Sequence, residues 1–203
     1  MKPLFLLSFF LLPVYLSNPS KDSAVTQAFQ TNAEVLKLTS KKNEIDHYID
    51  THSKNVIVYV KISENKNLVA VKNDRWPDEV EYTYNIYKNP AGKIIFIAQI
   101  PFSVSGDWDI VHKYYFDDQG NTFAFLKQAS IFNDDVKGGA VREILLNYYD
   151  KKFKNISQVT KLTDKDYRSI KKDKNGYDFP DDQYVIYKNL NECVAAYNIK
   201  LTK

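Results

Sequence analysis

The segment Asp107-Trp108-Asp109 carries the residue types best suited to chemistry in this chain. Two carboxylates flank an indole and follow Gly106. Glycosidases use paired carboxylates, one as acid and one as base or nucleophile, but they need a separation in space that sequence spacing does not fix. We therefore predict ligand contacts rather than catalysis at Asp107, Trp108 and Asp109. The alternative is a structural tryptophan between solvated acids.

Histidine and cysteine offer little further chemistry. His47 and His52 are five residues apart on a predicted helix, which does not place two metal ligands on one face. Cys193 is the single cysteine, cannot form an intrachain disulfide, and is interpreted as a buried residue of a C-terminal helix. The sequence contains no HExxH, CxxC, GxSxG, GxGxxG or P-loop motif. We predict no catalytic residue, no metal site and no cofactor.

Tyrosine is abundant, with 15 residues, and two doublets fall on predicted strands. Each of Tyr114-Tyr115 and Tyr148-Tyr149 must place one ring on each face of a sheet, so that one ring enters the core and its neighbour is exposed or lies under a helix. Exposed tyrosines are typical of protein-binding and glycan-binding surfaces. Tyr115 and Tyr149 therefore join the predicted ligand-binding residues, the alternative being ordinary core packing.

The charge balance argues for no polyanionic partner. The 28 Lys and Arg against 25 Asp and Glu give a net charge of +3, and the lysines are interleaved with aspartates. Arginine, which dominates nucleic-acid recognition, is scarce. We predict no nucleic-acid binding.

The N-terminus has the pattern of an export signal. Lys2 is followed by an apolar run from Leu4 to Leu16, which is shorter than the roughly 20 residues of a transmembrane helix. We predict a signal peptide over residues 1–20, cleaved somewhere in 17–24, and export to the bacterial periplasm or the extracellular space. An uncleaved anchor and a buried N-terminal helix are the alternatives, and no transmembrane segment is predicted after removal of the signal.

The elements that must position these residues form one domain over residues 21–203. The pattern predicts a helix over 41–52, N-capped by Ser40, and then alternating apolar strands separated by polar turns. Residues 161–175 are predicted as a surface loop, and residues 181–197 as a closing helix, although 184–187 also fits a last strand. The predicted fold is α+β, with an antiparallel meander of six or seven strands and both helices packed on one face.

These features favour an exported, non-enzymatic binding protein of the cell envelope, whose aromatic-bearing sheet holds a protein or glycan. A hydrolase acting on an envelope polymer is one alternative. It would require Asp107 or Asp109 to converge with Glu79, Glu81 or Glu143. A chaperone-like or structural envelope protein that pairs an exposed strand edge with a client strand is the other alternative.

Overall fold

The computed structural model describes residues 21–200, apart from residues 64, 66, 137–138, 172–176, 178 and 181–182, with side chains from Asn32 onward. The predicted signal peptide over residues 1–20 lies outside these described residues.

Eight antiparallel strands form one sheet in the order β2-β1-β3-β4-β5-β6-β7-β8. The strands are β1 (Ile57–Ile62), β2 (Val69–Ala70), β3 (Val80–Lys88), β4 (Ile94–Pro101), β5 (Trp108–Phe116), β6 (Thr122–Phe132), β7 (Ala140–Tyr149) and β8 (Asn155–Asp164). The predicted α+β fold with an antiparallel meander is confirmed, but the strands number eight rather than six or seven. The missed strand, β8, lies at the sheet edge and exposes half of its side chains, so it lacks the apolar alternation of the others.

A long helix, α1 (Lys21–Thr51), covers one face of the sheet. It begins well before the predicted start at residue 41. The predicted N-cap at Ser40 is therefore wrong: Ser40 lies inside the helix, where its hydroxyl donates to Glu44 at 3.2 Å. Ile45 packs in a cluster with Phe96, Tyr115 and other side chains of this face. Burial of such apolar side chains stabilises the helix, at about 25 cal/mol per Å² of apolar surface removed from water.

The C-terminal segment covers the opposite face. It has neither helix nor strand over residues 183–188 and ends in the short helix α2 (Leu190–Ala196), so the predicted closing helix over 181–197 is confined to its C-terminal part among the described residues. The N-cap Asn189 accepts from the amide of Glu192 at 2.9 Å. Cys193 packs against Tyr114 and Phe125 in a second core cluster. The prediction that both helices pack on one face is therefore wrong. Because the central strands are apolar on both faces, each face needs its own cover.

Helix α1 lies across one end of the strands only. The Tyr48 hydroxyl donates to the carbonyl oxygen of Lys88 at the end of β3, and the ammonium of Lys41 lies 5.2 Å from the ring centroid of Phe123 at the start of β6. Tyr115, near the end of β5, donates to Asp46 at 2.8 Å. These contacts all lie beside the β3–β4 and β5–β6 turns. Among the described residues, no helix covers the other end of the same face.

Candidate binding site

Two of the predicted ligand-binding residues lie in the core. Tyr115 has no exposed surface and lies beneath α1, with the ammonium of Lys42 5.2 Å from its ring centroid. Tyr149 is 7% exposed and stacks on Phe153, with ring centroids 4.6 Å apart. In this structure neither ring can contact a ligand. The doublets do place one ring on each face, as predicted, but both faces are covered where these rings lie.

The other three predicted residues are accessible, but they do not share a surface. Trp108 is the first residue of β5 rather than a loop residue, and it is partly buried on the C-terminal-segment face. Asp109 is the next residue along β5, so its side chain points to the α1 face. Asp107 is exposed, and its carbonyl oxygen accepts from the amide of Phe132 at 2.8 Å. The expected unit of one indole between two acids is therefore split across the sheet.

A groove lies at the end of the α1 face that the helix leaves uncovered. Its volume is about 760 Å³. Three large apolar side chains line it while facing solvent: Trp76 is 54% exposed, Phe102 58% and Val104 91%. We call it the Trp76 groove. Thr83 also lines the groove and is four residues from Tyr87 on β3, so the two side chains point to the same face of the sheet. Tyr87 packs in the same cluster as Ile45 of α1. The groove therefore belongs to the α1 face.

Carboxylates give the Trp76 groove an anionic wall. Glu79 and Glu81 both line it, and Glu79 is exposed beside Asp78. Glu81 is 2.7 Å from the ammonium of Lys61 and accepts from the Ser63 hydroxyl at 3.2 Å. The hydrogen bond from Lys61 lowers the pKa of Glu81. Glu81 is thereby held in its ionised form, which suits charge recognition rather than general acid catalysis.

One carboxylate pair that the hydrolase alternative could use, Asp109 with Glu143, does not converge. Asp109 and Glu143 border the same depression of about 280 Å³, but their side chains point to opposite faces of the sheet. Ile110 lies opposite Ala129, and Ala129 lies opposite Glu143, so Glu143 shares the face of Ile110. Asp109, the neighbour of Ile110 on β5, points the other way. Glu143 instead pairs with Lys127 at 3.0 Å. Within the described part of the chain, no three His, Cys, Asp or Glu side chains come together as a metal ion would require.

Sequence reasoning overlooked the groove because its residues come from separate segments. Trp76 precedes Pro77 in the connection between β2 and β3, and Phe102 and Val104 follow the end of β4. In the sequence, Trp76 is visible as an aromatic residue next to Pro77, where the strand pattern is interrupted. Only the β3–β4 pairing, in which Tyr82 lies opposite Pro101, brings Phe102 towards it.

None of the helices among the described residues has both the length and the apolar character needed to cross a membrane. No known protein-family description, curated protein or solved structure matches this chain.

Proposed function

We propose that this chain is an exported, non-enzymatic binding protein of the cell envelope whose site is the Trp76 groove. The export component rests on the apolar run from Leu4 to Leu16. The binding component rests on one observation above all: Trp76, Phe102 and Val104 expose most of their side chains around a single groove. Clustered exposed aromatic and aliphatic groups mark interaction sites on soluble domains.

The chemistry of the groove favours a polypeptide partner with basic residues. Trp76 and Phe102 provide anchoring surfaces of the type that dominates protein interfaces. Glu79 and the neighbouring Asp78 add negative charge to this rim, whereas the chain as a whole carries +3. An anionic rim on a basic protein selects cationic segments and repels acidic ones. A glycan stacking on Trp76 is the other outcome to be tested.

Selection from a display library of random peptides tests this function. Peptides selected on the wild-type chain are expected to combine Lys or Arg with aromatic or aliphatic residues. Trp76→Ala should weaken their binding by about 2 kcal/mol, or roughly thirtyfold, as for a central anchor residue. Val185→Ala is the matched control, since Val185 is 61% exposed on the C-terminal segment. Failure to enrich basic peptides, or equal losses in both variants, would contradict the proposal.

Strand addition at β8 is a second candidate, supported by the open edge of that strand. Ile170 donates its amide to the carbonyl oxygen of Leu162, so the end of the edge is covered. From Asn155 to Lys161, β7 is the only strand that pairs with β8 among the described residues. Unpaired edges recruit extended segments. If β8 is the site, Val159→Lys should abolish peptide binding and Trp76→Ala should preserve it.

A further inference from the structure

A second concavity, separate from the Trp76 groove, opens on the opposite face of the sheet. It encloses about 270 Å³ and is lined by Trp108 and Tyr82, with Ile110 and Pro101 adding apolar surface. Tyr82 alternates with Glu81 and Thr83 along β3, so the sheet separates this concavity from the Trp76 groove. We call it the Trp108 pocket.

The polar side of the Trp108 pocket is held in place by hydrogen bonds. The Oε1 atom of Gln99 accepts from the Tyr197 hydroxyl at 3.0 Å and lies 3.3 Å from Nδ1 of His112. His112 is only 3% exposed, and its ring lies 5.4 Å from that of Tyr184. Gln183 completes the polar side from the C-terminal segment and is exposed. The amide of Gln99 and the imidazole of His112 are thus fixed before any ligand arrives, which reduces the entropic cost of binding.

The charge and size of the Trp108 pocket restrict what it can hold. Its described lining has two aromatic rings, two amides and an imidazole, and includes no Asp, Glu, Lys or Arg. A charged ligand would lose hydration there. The ammonium of Lys61, 5.5 Å from the ring centroid of Tyr82, is already paired with Glu81. The volume falls just below the roughly 300–1,000 Å³ of pockets for drug-sized molecules, so it suits a single ring.

From this geometry we infer that the Trp108 pocket binds one uncharged sugar ring. The apolar C–H face of a pyranose stacks on the π face of an indole or phenol, which carries partial negative charge. An amide group both donates and accepts, as the vicinal hydroxyls of a sugar require, and the exposed side chain of Gln183 supplies one. The inference does not depend on the proposed function, because the pocket and the groove lie on opposite faces.

Tryptophan fluorescence tests the inference directly, since the chain contains two tryptophans. Trp76→Phe leaves Trp108 as the only indole. Titration with glucose, galactose and N-acetylglucosamine should produce a saturable change in its emission for at least one of them, with a dissociation constant in the millimolar range expected for so small a ligand. Glucuronate should bind at least tenfold more weakly, because its carboxylate would lose hydration in the pocket.

Two further variants decide the location of binding. Trp108→Phe, which keeps Trp76 as the reporter, should show no saturable response. Gln183→Ala, made in the Trp76→Phe background, should weaken binding about tenfold while leaving the melting temperature unchanged, because Gln183 is exposed. The inference is overturned if no neutral sugar gives saturation, if Trp76 reports the same response, or if Gln183→Ala binds as tightly as its parent.

Discussion

Alkaline pH should unfold this protein, because four tyrosines in its two core clusters are held in the neutral form. Burial raises the pKa of Tyr84 to about 12, and it also raises the pKa of Tyr114, Tyr115 and Tyr197. In the unfolded chain these phenols ionise near pH 10. Stability is therefore fully present below about pH 10 and is lost as the pH rises further, because only the unfolded state releases the protons.

The size of this loss can be calculated for each group. At pH 11, ionisation of a phenol with a pKa of about 10 stabilises the unfolded state by RT ln(1 + 10), or about 1.4 kcal/mol. Tyr84 contributes nearly this amount, and each of the other three contributes it in full. The four together lower the free energy of unfolding by several kcal/mol, which is on the order of the entire stability of a marginal domain. We expect unfolding near pH 11.

Guanidinium unfolding at pH 7 and at about pH 10.5, where the calculated loss is smaller than at pH 11, followed by circular dichroism, measures this effect. Tyr84→Phe should reduce the difference in the free energy of unfolding between the two pH values by roughly 1 kcal/mol. Tyr167→Phe, which removes a phenol that is 70% exposed, should leave it unchanged. The reasoning is refuted if the stability is equal at both pH values. It is also refuted if all phenols ionise in one step near pH 10 while the protein stays folded.

Three further predictions concern stability and reactivity. Gly92→Ala should lower the free energy of unfolding, measured by chemical denaturation, by about 1–2 kcal/mol. Gly92 has φ +78, and an added Cβ would meet no atom within 4 Å, so backbone strain is the only cost. An unchanged denaturation midpoint would argue against this. Asp46→Ala should cost about 1–3 kcal/mol by leaving the Tyr115 hydroxyl buried without its acceptor, and adding Tyr115→Phe should recover part of that loss; a further loss in the double variant would contradict the prediction. Burial of Cys193 raises the pKa of its thiol, so alkylation of the native chain should be at least about 100-fold slower than in denaturant, and equal rates would show that the thiol is accessible.

The central strands were predictable because each one carries its own apolar pattern in the sequence. Strand β6 and its neighbour β7, for example, carry apolar runs bounded by polar turns, which is the pattern from which the meander is predicted. Strand β8 was not predictable in this way, because its stability comes from pairing with β7 rather than from its own apolar residues. Similarly, residues 183–189 carry apolar residues at helical spacing but form no helix, and the sheet holds this segment through the Tyr114 hydroxyl, which donates to the carbonyl oxygen of Val185 at 2.7 Å.

The candidate site was harder to predict than the fold, since exposure depends on which segments cover which face. The sequence could not show that Tyr115 lies under α1 or that Trp108 and Asp109 face opposite ways. It could not reveal that Trp76 and Phe102, 26 positions apart, share one groove. These three features depend on strand register and on the position of α1 near one end of the sheet.

Photocrosslinking in the parent cells tests the central claim most directly. A benzophenone amino acid at position 104 places the reactive group on the rim of the Trp76 groove, and the same residue at position 185, on the C-terminal segment, provides an exposed control away from the groove. The account predicts a crosslinked partner specific to position 104, rich in basic residues at the attachment point and lost with Trp76→Ala. The same products at both positions, or a product that persists with Trp76→Ala, would contradict it.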